Sequence, residues 1–220
     1  MNTEKIILSF DLDNTLINNR EGIVDSFNHA LQQFDLPVMN KDDIEKMIGI
    51  PLHQMFSTIN KTYVQDLVLS FREYYGSKGI YQGHLITGVK NKLQELSNAG
   101  FIMGVITSKK QEMAEKMVEI LKIRKFFDYV MGETDERKEL GKLDPSLKLF
   151  FQKNYPNYHV IVIGDHPKDV MLSNNLVCPF IGVLTGNHSA QELSDLKKGK
   201  YFILSSVKEI DQSTIYKLLY

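Results

Sequence analysis

Cysteine is nearly absent from this chain. Cys178 stands alone, so no internal disulfide can form, and a reducing interior is the expected setting. The thiol itself reads as a small buried hydrophobe. An excess of either charge is also missing. The formal net charge is −1, which argues against a broad electrostatic footprint for nucleic acid. No apolar run approaches the roughly 20 residues that span a bilayer. The first ten residues, MNTEKIILSF, lack the apolar core and small-residue cleavage site of a signal peptide. Internal repeats and low-complexity tracts are missing as well. These absences lead to the expectation of a cytoplasmic protein with no nucleic-acid or membrane partner. What remains is ordinary for a globular protein: 220 residues, 43% hydrophobic and 24% charged, enough for one large domain or one domain with a smaller insert.

The most informative stretch is IILSF-DLDNTL. Ile6 to Phe10 has the length and composition of a strand buried on both faces. It ends in Asp11 and Asp13. Two carboxylates at the end of a buried strand are costly without partners, and a divalent cation is the simplest partner. Helical spacing follows over about 21–34, 41–48, 52–56 and 63–75, until Gly76, Gly79 and Gly83 break it. From Gly88 the chain alternates. Strands are expected at 101–106, 127–131, 159–163, 180–184 and 201–204. Helices are expected at 89–99, 111–121, about 145–154, from 168 and from near 207. Residues 134–142 read as a polar loop, and Asp144-Pro145 is a helix start with Asp at the cap. Alternation of this kind predicts an α/β fold, a doubly wound parallel sheet with helices on both faces. The core would comprise residues 1–16 and 86–220, with a small all-helical domain inserted at 17–85.

Asp11, Thr107 and Asp165 each follow a predicted strand, and Lys142 lies in the loop beyond another. Ligands of open α/β sheets bind outside the carboxyl ends of the strands, where the strand order reverses. The four residues are therefore candidates for one crevice.

Four motifs carry a resemblance: Asp11-Leu-Asp13-Asn-Thr15, Val105-Ile-Thr107-Ser108, Gly141-Lys142-Leu-Asp-Pro145 and Gly164-Asp165-His-Pro-Lys-Asp169. In this order they resemble the haloacid dehalogenase superfamily, in the phosphatase branch with a helical cap after the first motif. The resemblance implies that Asp11 is a nucleophile forming an aspartyl-phosphate. Asp13 would be the general acid and base, a group that phosphate chemistry needs and dehalogenation does not. Thr107 and Ser108 would donate to phosphate oxygens, and Lys142 would supply positive charge. Mg²⁺ would be held by Asp11, the backbone carbonyl of Asp13 and Asp165, with Asp169 as a ligand or supporting partner.

The sequence departs from the usual pattern at Leu143, where proline commonly stands. Asn14 takes a place often held by glycine, a backbone position Asn tolerates well. The cap would set specificity through the Gly49-Ile50-Pro51-Leu52 turn with His53, and through Asn18, Asn19 and Arg20. Asn14, Ser108, Arg20 and His53 are thus substrate-binding candidates. The implied activity is a Mg²⁺-dependent phosphatase for a small phosphorylated metabolite of the phosphoglycolate kind, acting as monomer or homodimer. A phosphosugar mutase of the β-phosphoglucomutase type, a pyrophosphatase or nucleotidase, and a binding protein without turnover are the alternatives. Residue by residue, Asp13 and Asp169 can also be read as helix caps, and His166 as a surface loop histidine.

Overall fold

A computed structural model describes residues 5–135, 137 and 140–220. Residues 136, 138 and 139 of the expected 134–142 loop, and the first four of the N-terminal stretch, lie outside the described residues. The chain forms two compact units, one of residues 1–17 and 85–220, the other of residues 18–84.

In chain order the elements are β1 (Ile6–Phe10), β2 (Ile17–Asn18), α1 (Arg20–Gln33), α2 (Lys41–Lys46), α3 (Leu52–Ser57), α4 (Val64–Ser77) and β3 (His84–Leu85). There follow α5 (Val89–Asn98), β4 (Ile102–Lys110), α6 (Gln111–Ile120), β5 (Tyr129–Glu133), α7 (Pro145–Asn154) and β6 (His159–Gly164). The chain ends with α8 (Pro167–Leu176), β7 (Phe180–Val183), α9 (Ala190–Leu196), β8 (Tyr201–Leu204) and α10 (Gln212–Leu219).

The larger unit is built on a six-stranded sheet in the order β5-β4-β1-β6-β7-β8. Every neighbouring pair in it is parallel. A parallel sheet needs crossovers, and α5, α6, α7, α8 and α9 supply helices between its strands. All five residues of β1 are buried, as a strand flanked on both sides and covered on both faces must be. The strand order reverses at β1. The chain first runs to β4 and β5 on one side, then returns to β6, β7 and β8 on the other. The turns after β1 and β6 therefore flank the reversal point, where such sheets bind ligands.

The smaller unit is helical. Its core is aromatic: Phe27 stacks on Phe56 with ring centroids 4.3 Å apart, and Phe71 meets Phe56 edge-on and stacks on Tyr75. These rings lie on the buried faces of α1, α3 and α4.

Two local expectations need correction, and one helix was not expected at all. The strand expected to end at Ile106 continues as β4 to Lys110, with a register shift against β5 between Ile106 and Lys110. The final helix does not start near Val207. That segment is a single 3₁₀ turn, and α10 starts after Asp211, whose side chain accepts from the Thr214 N–H. Helix α9 has no counterpart in the sequence reading. It is seven residues long, too short to show a period, and is held by a reciprocal cap between Ser189 and Glu192.

Candidate active site

Three carboxylates meet at the reversal point. Asp11 follows β1, and its N–H donates to the Ile163 carbonyl at 2.8 Å, which ties the turn to β6. Asp165 follows β6, and Asp169 lies in the first turn of α8. All three are buried, and one oxygen of each lies within 4.8 Å of the others. Lys142 enters from the 3₁₀ turn Gly141–Leu143 ahead of α7. Its Nζ donates to Asp11 Oδ1 and to Asp169 Oδ1, each at 2.5 Å, and the residue is only 4% exposed.

Two further carboxylate oxygens of the cluster are engaged. Thr15 Oγ1 donates to Asp165 Oδ1 at 2.7 Å. Asp169 Oδ2 accepts the His166 N–H at 3.1 Å, and His166 Nδ1 accepts the Lys168 N–H, so the two residues cap α8 reciprocally. Asp169 therefore caps α8, as one reading of the sequence had it, while its carboxylate also belongs to the acidic cluster. His166 is a cap rather than a loose surface histidine, and burial pulls its pKa down to about 4. Two glycines admit the carboxylates. A Cβ at Gly164 would overlap the Asp169 carboxylate, and one at Gly186 would overlap that of Asp165.

Charge does not balance here. Three carboxylates face one ammonium, an excess of two negative charges in a buried place. Burial, then repulsion from Asp11 and Asp169, raises the Asp165 pKa well above the ordinary carboxylate value. Burial raises Asp169 to about 6, against the pull of Lys142. Burial also works against the Lys142 ammonium, but Asp11 and Asp169 outweigh it and hold its pKa above the usual lysine range. Hard oxygen donors with two uncompensated negative charges fit a divalent cation of the Mg²⁺ type.

The remaining sequence candidates divide into two groups. Asp13 is near but its side chain stands outside the carboxylate cluster. Its Oδ2 pairs with Lys109 Nζ at 3.2 Å, while Oδ1 is buried without a hydrogen-bond partner. Burial raises the Asp13 pKa, opposed chiefly by Lys109. Asn14 adopts φ 57°, the left-handed conformation expected of it, and its carbonyl accepts from Thr185 Oγ1. Thr107 is buried within β4 at the register shift, and its Oγ1 accepts the Lys109 N–H at 3.3 Å; Ser108 is exposed. Arg20 and His53 belong to the helical unit. Arg20 pairs with Glu45 at 3.3 Å, and His53 is exposed on α3.

Sequence reasoning passed over Thr15, Lys109 and Gly186. Thr15 lies inside the first motif and Lys109 directly follows the second, so both were within reach. Gly186 carried no local signal, because its role exists only where the β7 turn meets Asp165.

Residues 7–183 match the family model described as haloacid dehalogenase-like hydrolase. Among curated proteins, a pyrophosphatase PpaX of Bacillus cereus (strain Q1) is 28% identical over 166 residues, covering 76% of this chain and 77% of its own. Among solved structures, a predicted phosphatase from Clostridium acetobutylicum is similar with a TM-score of 0.83 at 27% identity, covering 98% of this chain and 100% of the other. A predicted phosphoglycolate phosphatase from Haemophilus somnus 129PT aligns over 100% of both chains with a TM-score of 0.75 at 19% identity, a likeness of fold.

Proposed function

Because the chain belongs to the haloacid dehalogenase-like hydrolase family and is a phosphatase-type hydrolase, we propose that it cleaves a small phosphorylated metabolite through an aspartyl-phosphate on Asp11, with Mg²⁺ as cofactor. The observation that carries this reading is the buried meeting of Asp11, Asp165 and Asp169 around Lys142.

Two unit charges about 4 Å apart repel by about 4 kcal/mol at an effective dielectric near 20. A carboxylate approaching a phosphate meets that barrier, and the residues here offset it. Lys142 neutralises part of the charge and fixes the Asp11 carboxylate, leaving its second oxygen for attack on phosphorus. As the new P–O bond forms, the ester P–O bond breaks, and the leaving oxygen takes the proton of Asp13. Asp13 then accepts a proton from the water that attacks the aspartyl-phosphate, which frees phosphate and restores Asp11. Thr107 donates its hydroxyl proton to a phosphoryl oxygen. Asp11, Asp165 and Asp169 would hold Mg²⁺, which when bound would supply positive charge to offset that of the phosphoryl group.

Two substrates stand out. Phosphoglycolate is the reading of the Gly49-Ile50-Pro51-Leu52 turn, and pyrophosphate is favoured by the similarity to the PpaX pyrophosphatases. Hydrolysis of both by the purified protein with Mg²⁺ would rank them. Asp11→Asn is expected to abolish hydrolysis of an aryl phosphate while far-UV circular dichroism stays unchanged. Undiminished turnover by this variant would overturn the assignment.

A further inference from the structure

Asp13 is held by a residue outside the four motifs. Lys109 lies four residues past Val105, just after Thr107-Ser108, where β4 slips its register against β5. From this stretch the Lys109 side chain reaches Asp13 in the turn after β1. Its Nζ meets Asp13 Oδ2 at 3.2 Å, and its side chain is 9% exposed. The same residue's N–H donates to Thr107 Oγ1, so one residue touches both the hydroxyl and the carboxyl group of the reaction. The two oxygens of Asp13 are thereby made unequal. Oδ2 has the ammonium, and Oδ1 is buried with no hydrogen bond.

We propose that Lys109 is a positioning residue for proton transfer: it pairs with Asp13 Oδ2 and fixes the carboxyl rotamer beside Thr107. An ammonium has three N–H donors and no acceptor, so it can orient the carboxyl group without taking its proton. In the first step the Asp13 carboxyl proton passes to the leaving oxygen as its bond to phosphorus breaks. In the second, the attacking water gives its proton back to Asp13. Lys109 itself neither gains nor loses a proton. This inference rests on the phosphatase reading of the site and assigns a second duty to the segment after Thr107.

The test separates proton delivery from simple charge or folding effects. A leaving group that departs easily needs little protonation, whereas a simple alkoxide needs it fully. Lys109→Met should therefore lower kcat on an alkyl phosphate about 10²-fold more than on 4-nitrophenyl phosphate, within the range one general acid contributes. Asp13→Asn should show the same selectivity, and the double variant should be no worse than Asp13→Asn alone. Lys109→Arg should restore part of the alkyl phosphate rate. Melting curves for all variants report folding. Equal losses on the two substrates would overturn the proposal, as would additive losses in the double variant. Should Lys109→Met fail to fold, the Lys109→Arg comparison decides alone: a substrate-independent loss there refutes it. Wild-type protein inactive on both phosphates with Mg²⁺ would instead refute the phosphatase reading on which it stands.

Discussion

Asp169 uses one carboxylate oxygen for Lys142 and the other for the N–H of His166, so a single side chain caps α8 and closes the acidic cluster. Removing one partner of such a buried set strands the other charges, at a cost of about 3–5 kcal/mol. The raised pKa values of Asp165 and Asp169 have a definite sign. Without metal, the folded state holds these protons more tightly than the unfolded chain does. That contribution to stability is present below the ordinary carboxylate value and is lost as pH rises through about 6 for Asp169. Mg²⁺ must displace the same protons to bind. The rise in melting temperature on adding Mg²⁺ is thus expected to be larger at about pH 7.5 than at about pH 5. Paired melts with Mg²⁺ and with EDTA at both pH values check this. His166 titrates in the opposite sense, its low pKa removing stability on acidification, and contributes to both melts of a pair. A Mg²⁺ increment independent of pH, or none, would contradict the cluster as a cation site.

Elements were legible in proportion to their length and burial. The apolar runs of β1 and β6 and the Asp144-Pro145 start of α7 need no distant information: composition and a local cap define them. The end of β4 was not legible, because pairing with β5 resumes at Lys110 after a slip, which depends on the partner strand. Helix α9 was missed because it has only one buried apolar side chain, Leu193. Such a helix leans on its ends. Ser189 Oγ accepts the Glu192 N–H, and Glu192 in turn accepts the Ser189 N–H. Ser189→Ala is expected to lower stability by about 1 kcal/mol, read as a shifted urea midpoint with unchanged slope. An unshifted midpoint would mean that packing alone holds α9.

The whole molecule comprises two compact units. Asp11, Asp13, Thr107, Lys142, Asp165 and Asp169 all belong to the sheet-bearing unit, whereas Arg20 and His53 belong to the helical one. On the proposed function, substrate selection would rest on the helical unit and could be altered without touching the chemistry. His53→Ala is accordingly expected to change the relative kcat/KM values for phosphoglycolate and pyrophosphate while turnover of an aryl phosphate is kept. Parallel loss on all three would place His53 in folding or chemistry instead of selection.

The sequence by itself determined the alternation that makes a parallel sheet, the helical stretch that interrupts it, and the four polar positions at strand ends and loops. Each of these is local, set by apolar spacing, turn residues and the type of side chain. Tertiary structure alone decided that Asp169 joins Asp11 on Lys142, that Thr15 holds Asp165, that Gly186 makes room for it, and that Lys109 faces Asp13. These contacts join residues as far apart as 150 positions. They exist only because the strand order reverses at β1 and brings the ends of separate strands together, an arrangement no local pattern encodes.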